Sequence, residues 1–436
     1  MEVLLHWTDT TLPASLAYNN TYNEVWGYAQ NGREYAIIGS TMGTHILDVS
    51  EAGSGPTPEV GFIPGAYQGP GVIHRDMKTL GHYLYIVCDE GQSSLQIVDL
   101  SGLPGQVDIV YDSSDLFARA HNIFIDTLHA RLYTCAGTTA FSIYDLSDPE
   151  APVLLNDCNL DLPWWSQTIG VVHDAYVRDH VAYLHDEDAF HIVNMSNAQA
   201  PALVGSLSVY PENGYNHSGW LHDDGIHYAM CDETAGSRIK LMDISDPSDI
   251  QVTDLFGTGL NDSSMVHNVA WAGNVLHASY YHDGYRQWHL QPNGTMVPGA
   301  FHDTSNEPHT LLYRGAWGVY PYLPSGVVLV SDMQTGLWVL RDNTTGTADE
   351  DDGMSGSLQM YPVPADRTLW VNGPWTNASV SMDFIIRDLQ GRMVRNGVLS
   401  GPGQLDLHGM PAGGYVLEVI SGELRFRSRF VRSHIP

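Results

Sequence analysis

The sequence predicts an all-β protein, a seven-bladed β-propeller followed by a small C-terminal β-sandwich. Three observations carry this prediction. One motif recurs seven times at a period of about 48 residues, the range of a four-stranded propeller blade. The composition suits strands and tight turns, with 43 Gly, 23 Tyr, 11 Trp and only 16% charged residues. The charge balance also breaks near Ser355. The 436-residue chain carries −31 overall, yet from Ser355 onward eight Arg stand against six acids, and a shift of this kind marks a domain boundary.

Each repeat opens with His and a small polar residue and runs into an apolar strand. It turns into a second strand ending in acids, then into a third ending in Asp-Leu-Ser or a variant. Blade 3 shows the pattern as His121-Asn122-Ile123-Phe124-Ile125, then Arg131-Leu132-Tyr133-Thr134-Cys135, then Phe141 through Pro149. A fourth, outer strand follows at Pro152-Val153-Leu154-Leu155. Corresponding starts fall at Trp26, His74, His121, His173, His217, His267 and Trp317. A pair of sandwiches, the other all-β solution, does not repeat one motif seven times.

The seventh unit supplies strands near Gly318-Val319-Tyr320, Val327-Val328-Leu329-Val330 and Leu337-Trp338-Val339-Leu340, and then leaves the pattern. Val3-Leu4-Leu5-His6 precedes blade 1 as Val153-Leu154-Leu155 precedes blade 4. The N-terminal strand is therefore expected to complete blade 7, which removes exposed sheet edges. This places the propeller at residues 1–342, an acidic linker at 343–354 and a C-terminal domain at 355–436. The closed ring is expected to be a monomer.

The recurring Asp48, Asp99, Asp145 and Asp243 stand at strand ends before Leu-Ser or similar, which predicts turn caps rather than chemistry. Cys88, Cys135, Cys158 and Cys231 form no CxxC pair. Three of them hold equivalent repeat positions, which favours buried small residues, with one bridge left open. The acidic balance argues against nucleic acid, whose phosphates need Lys and Arg. No apolar run reaches the ~18 residues of a transmembrane segment. Glu2 and His6 interrupt the first apolar patch, so any export leader is expected to have been removed ahead of Met1.

Residues 1–342 resemble the LVIVD-repeat proteins, in particular the choice-of-anchor B group. The resemblance rests on Trp26-Gly27-Tyr28, Gly32-Arg33-Glu34-Tyr35-Ala36, Gly43-Thr44-His45-Ile46-Leu47-Asp48 and Gly81-His82-Tyr83-Leu84-Tyr85. His121-Asn122-Ile123, His173-Asp174-Ala175-Tyr176-Val177-Arg178 and Trp317-Gly318-Val319-Tyr320-Pro321 add to it. Gln287-Trp288-His289-Leu290 in blade 6 and Asn194 in blade 4 depart from the pattern. The resemblance implies an extracytoplasmic propeller and no particular activity.

The tail resembles a type IX secretion C-terminal sorting domain. The matching stretches are Leu358 to Ala365, Ile386 to Val394, Leu407 to Tyr415 and Arg429-Phe430-Val431-Arg432, with Val363 in place of the usual Asn. That resemblance implies docking on the type IX secretion machinery and removal by its sortase. The polar, acidic linker is where cleavage is expected. The protein is then secreted or attached to the outer-membrane surface.

Candidate chemistry gathers at one mouth of the channel. His74, His121, His173, His217 and His267 share one repeat position at the start of the inner strand. The antiparallel second strand returns to the same face carrying Asp89-Glu90, His185-Asp186-Glu187, Asp232-Glu233 and His282-Asp283. Imidazoles and carboxylates are ligands for Zn or Mn, and a carboxylate and carbonyl site would suit Ca. The alternative is structural, with each repeated His donating a hydrogen bond to the next blade. Trp26, Trp164, Trp165 and Trp317 also fall near the mouth, as ligand-stacking residues or as a hydrophobic cap. No Gly-x-Ser-x-Gly elbow, His-Glu-x-x-His helix or phosphate-cradling loop is present, so no catalytic residue is assigned. The expected function is a binding propeller holding a metal or an extracellular ligand at this mouth. The alternatives are a metal-dependent hydrolase or lyase using the same mouth, and a purely structural surface protein.

Overall fold

The computed structural model describes residues 1–305, 307–342, 358–361, 365, 367–372, 381–388, 393–400, 403–411, 413–421 and 424–432. The linker assigned to 343–354 lies outside them, as do 362–364 and 389–392 of the sorting-domain motifs. The chain divides into two compact units, a large one drawn from Met1–Asn343 and a small one made chiefly of residues beyond it.

The first unit is a propeller of seven four-stranded antiparallel sheets. Its inner strands, blades 1 to 7, are Tyr22–Gln30, Arg75–Leu80, Asn122–Asp126, Asp174–Arg178, Asn216–Leu221, Asn268–Ala272 and Ala316–Tyr320. Second strands such as Tyr83–Cys88 and Val328–Asp332 are buried almost throughout, because a neighbouring blade covers each face. The apolar side chains therefore collect between blades. Tyr133, Phe141 and Ile143 of blade 3 pack with Val172, Ala175, Val177 and Leu184 of blade 4. Each fully buried side chain of this size contributes about 1.5–3 kcal/mol.

Pairing between the third and outer strands is interrupted by a bulge at one recurring place. It falls at Ile46/Leu47, Ile97/Val98, Ile143/Tyr144, Ile192/Val193, Leu241/Met242 and Arg286/Trp288. An extra residue there bends the outer strand and raises its twist. Blade 7 takes its outer strand from the other end of the chain. Glu2–Trp7 pairs antiparallel with Gly336–Arg341, Glu2 opposite Arg341 and Trp7 opposite Leu337, with its own bulge between Val3 and Leu5. Leu4, Leu5 and Trp7 pack against Val25, Leu47, Leu329 and Val339. Gly336 permits this approach: its φ is +101°, and a Cβ would lie 2.3 Å from the Trp7 carbonyl oxygen.

The repeated Asp is a turn cap. Asp48, Asp99, Asp145 and Asp243 accept from the backbone N–H of Ser50, Ser101, Ser147 and Ser245 at 3.1, 2.7, 2.5 and 2.9 Å. Asn194 does the same for Ser196 at 2.9 Å, which explains why blade 4 tolerates the change. In blade 6, Trp288 fills the third strand with a buried indole instead. Cys88, Cys135, Cys158 and Cys231 are buried free thiols. No helix among the described residues is long and apolar enough to cross a membrane.

The C-terminal unit is a small β-sandwich. One sheet holds Gln359–Tyr361, Thr368–Asn372 and Gly403–Asp406. The other runs in the order Met393–Ser400, Ser381–Asp388, Gly413–Ser421, Leu424–Arg432. Leu369, Val371, Ile386, Leu405, Leu407, Leu417 and Val419 form its core. The Tyr415 hydroxyl donates to the Pro411 carbonyl at 2.7 Å, and the buried Arg432 guanidinium donates to the Met410 carbonyl.

Removing residues 1–7 leaves the Gly336–Arg341 edge unpaired and opens the ring. The truncated chain is expected to melt at lower temperature and to aggregate, measured by circular dichroism and light scattering. An unchanged melt with a monomeric elution volume would contradict this account of closure.

Candidate functional site

The inner strands carry a ring of aromatic groups at the channel mouth. Ring centroids lie 4.6 Å apart for His74–His121, 4.4 Å for His121–His173, and 4.6 Å for both His173–His217 and His217–His267. Trp317 closes it, 4.1 Å from His267 and 5.3 Å from His74. Blade 1 adds no ring. Its Asn20 and Asn23 amides donate instead to the Ile73 carbonyl at 3.0 and 3.2 Å. Trp26 is thus not the blade 1 counterpart of these residues. It lies further along its strand, with the Lys78 ammonium 4.7 Å over its ring and its indole N–H donating to Thr79 Oγ1.

Several mouth residues tie one blade to the next. His74 Nε2 donates to Asn122 Oδ1 at 3.0 Å, and the Asn122 amide reaches the His173 carbonyl. His121 Nδ1 pairs with Asp89 at 2.9 Å. The Tyr215 hydroxyl meets His173 Nδ1 at 3.0 Å, and Ser218 donates to the His267 carbonyl at 2.8 Å. His267 Nδ1 donates to the Trp317 carbonyl at 2.7 Å. The inter-blade reading of the repeated histidines therefore holds for much of the ring.

Three of the predicted residues converge differently. His217 Nε2 is 3.9 Å from one Glu233 oxygen and His267 Nε2 is 4.0 Å from the other. The three ligand atoms all lie within 4.8 Å of one another. His267 gives its Nδ1 proton to Trp317, which leaves the Nε2 lone pair facing Glu233. His217 Nδ1 is buried without a hydrogen-bond partner. The Tyr281 hydroxyl donates to Glu233, an interaction signalled in the sequence only by Tyr281 preceding His282-Asp283. Two imidazoles and one carboxylate suit Zn or Mn, whereas Ca takes oxygen donors.

The other predicted ligands are engaged elsewhere. His185 is fully buried between Asn216 at 2.8 Å and the Tyr228 hydroxyl at 2.9 Å. Asp232 pairs with the fully buried Lys240 ammonium at 2.7 Å. Asp186 caps the Ala189 N–H and holds His191 Nε2 at 2.9 Å. Glu187 is exposed, and its backbone bridges to Asn216. Asp283 holds His309 and the Thr258 hydroxyl, while His282 Nε2 reaches Thr310 at 3.4 Å. Trp165 is completely buried against Phe141, and Trp164 packs half-buried on it, so the pair caps a core rather than facing a ligand.

Below the ring the channel carries Glu24, Asp76, Lys78, Asn122, Asp174 and Asn268 around a cavity of about 50 Å³. Lys78 Nζ lies 2.6 Å from Asp76 Oδ1. Asp76 Oδ2 accepts from the Ile123 N–H at 2.7 Å, and Glu24 accepts from the Asn268 amide at 3.1 Å across the channel. Burial pushes the Glu24 carboxyl up to about 8 and that of Asp174 to about 7. Burial likewise raises Glu233 to about 7. Burial and the neighbouring imidazoles hold His173, His217 and His267 well below the usual histidine range, and His74 at about 4. His121 goes the other way: burial opposes its charge, but Asp89 outweighs that.

No protein-family model matches the chain, and no curated protein matches it. Solved structures do. The β-propeller domain of Cps50 (Swd1) from Myceliophteria thermophila is 12% identical with a TM-score of 0.51, over 78% of this chain and 99% of that one. The periplasmic gluconolactonase PpgL of Pseudomonas aeruginosa is 10% identical with a TM-score of 0.52, over 92% and 99%. A protein from Lactobacillus plantarum is 11% identical with a TM-score of 0.51, over 89% and 99%. At such identities the likeness is one of fold.

The titrations predict a stability maximum. Glu24 and Asp174 hold protons in the folded state that the unfolded chain releases near 4.5 and 3.8, so their contribution is full below those values, shrinks as pH rises and is gone above about 7 to 8. The depressed ring imidazoles contribute stability that is complete above 6.5 and is lost as pH falls below it. Metal-free protein should therefore melt highest near pH 6.5 to 7, with a decline on both sides. Thermal melts in a chelator across this range check it, and a steady rise into alkaline pH would contradict it.

Proposed function

We propose that this protein is an extracytoplasmic binding propeller that coordinates a divalent ion, zinc or manganese, with His217, Glu233 and His267. The ion would be offered to an extracellular ligand at the channel mouth. The observation that carries this reading is the convergence of those donors from blades 5 and 6 on one carboxylate, at 3.9 and 4.0 Å. A tetrahedral ion with ligands at ~2.1 Å needs donors about 3.4 Å apart, a contraction that small side-chain rotations supply. The Trp317 carbonyl, behind His267, and the Tyr281 hydroxyl, on Glu233, act as the outer partners that orient metal ligands.

The remaining steps rest on the sequence resemblances. The C-terminal sandwich is a type IX sorting domain that docks on the secretion machinery. Its sortase cuts within the linker 343–354, and the propeller is released or anchored at the cell surface.

Zinc at a hundredfold excess over its dissociation constant is expected to stabilise the purified protein by about 2.7 kcal/mol. Glu233→Gln and His217→Ala should each remove most of that gain while preserving the fold by circular dichroism. If neither zinc nor manganese co-purifies or shifts the melt, the metal reading fails. Deleting everything after residue 353 should leave the propeller inside the cell envelope of a type IX secreting host, and normal release of that truncation would refute the export route.

A further inference from the structure

Blade 5 carries a second cluster of donors at the far end of its inner strand. His217 lies near the start of Asn216–Leu221, and His222 follows its last residue, about 17 Å further along. Blades 1, 2, 4 and 6 join their inner and second strands with two-residue turns, at 31–32, 81–82, 179–180 and 273–274. Blade 5 instead inserts His222-Asp223-Asp224-Gly225-Ile226 before His227 begins the second strand. Blades 3 and 7 also use longer connections, at 127–130 and 321–327, but neither places two imidazoles on one carboxylate within a single turn.

The longer turn is tightly organised. The His222 N–H donates to the His227 carbonyl at 2.8 Å, and the Gly225 N–H to the His222 carbonyl at 3.1 Å. Gly225 has a φ of +74°, a conformation that suits glycine. Asp224 Oδ1 is used up by the N–H groups of Ile226 and His227 at 2.8 and 3.0 Å. Asp224 Oδ2 is left facing two imidazoles, with His222 Nδ1 at 3.0 Å and His227 Nδ1 at 2.7 Å.

The tautomer of His222 is set by its surroundings. Its Nε2 lies 3.3 Å from Asn274 Oδ1, an oxygen that can only accept, so the proton sits on Nε2. Its Nδ1 in turn accepts the Asp224 N–H at 3.2 Å. With one proton already on Nε2, the 3.0 Å contact between Nδ1 and the Asp224 carboxylate has to be bridged by a second proton or by another cation. The arrangement is that of a metal-ligating histidine whose other nitrogen donates to an oxygen.

We propose that His222, Asp224 and His227 form a second zinc site, on the face opposite the imidazole ring. All three ligand atoms lie within 4.8 Å of one another. Two imidazole nitrogens and one carboxylate oxygen are zinc donors, with water completing the tetrahedron. Zinc takes the place of the proton that His227 Nδ1 shares with Asp224 in the free protein, and that proton moves to His227 Nε2 as the ring changes tautomer, so a neutral imidazole is bound without net proton loss. Asp224 is exposed and His227 half-buried, which leaves an ion a direct path. Arg178, which donates to the His222 carbonyl at 3.2 Å and lies 4.0 Å from Asp223, is the opposing positive charge and keeps the affinity below that of a buried structural site.

The test uses the full chain and zinc alone, by titration calorimetry, with the mouth disabled by H217A and E233Q. One zinc per chain should still bind. Adding D224N or H227A should abolish that binding. N274A, which touches no ligand atom of the proposed ion, should weaken it roughly 10- to 100-fold. Unchanged binding after D224N and H227A would overturn the proposal. So would the absence of zinc uptake in the mouth-disabled protein, with both His222 nitrogens seen protonated by NMR. Failure of the mouth site alone reads differently: H217A and E233Q would then leave stoichiometry unchanged while D224N lowers it.

Discussion

Each blade is a four-stranded sheet with two apolar faces, and neither face can leave water except against another blade. Burial therefore becomes available only when the ring closes. The outer position of blade 7 belongs to Glu2–Trp7, so the two ends of the propeller segment are held together by strand pairing. The bulge shared with the other outer strands shows that the first strand meets the same geometric demand as they do. Gly336, in the left-handed region under the Trp7 carbonyl, is the local concession that lets it fit.

Closure creates the channel, and the channel sets the electrostatics. The chain is strongly acidic, yet its innermost carboxyls are placed where ionisation is costly. Glu24 and Asp174 respond by titrating near or above neutrality, while Lys78 stays charged beside Asp76. The same desolvation keeps most ring histidines neutral. A neutral imidazole presents a lone pair, so the burial that makes the ring a packing device also makes part of it a ligand set.

Packing and chemistry separate by how well they repeat. The turn caps of blades 1 to 5 and the outer-strand bulges follow the period of the fold. The convergence of His217, Glu233 and His267 does not recur among the described residues, and neither does the arrangement of two imidazoles on one carboxylate in the His222–His227 turn. Blade 5 contributes to both.

The number of blades, the starts of blades 2 to 7, the turn caps and the source of the last strand were legible in the sequence, because a repeated packing demand writes itself as a repeated motif. So were the five ring histidines. Trp26 was misplaced because its likeness to Trp317 is one of residue type, whereas its register along the strand puts it beside Lys78. His185, Asp232 and Asp283 read as ligands for the same reason, and only their partners, Tyr228, Lys240 and His309, reveal them as engaged. Tyr228 comes from the neighbouring blade and His309 from a connecting loop, while Lys240 lies on the adjacent strand of the same blade, where only its side-chain direction decides the pairing. Period and residue type are local properties, so the sequence alone determined the architecture and the inventory of candidate donors. Which donors face one another depends on side-chain direction across blades, and that was decided by the closed ring.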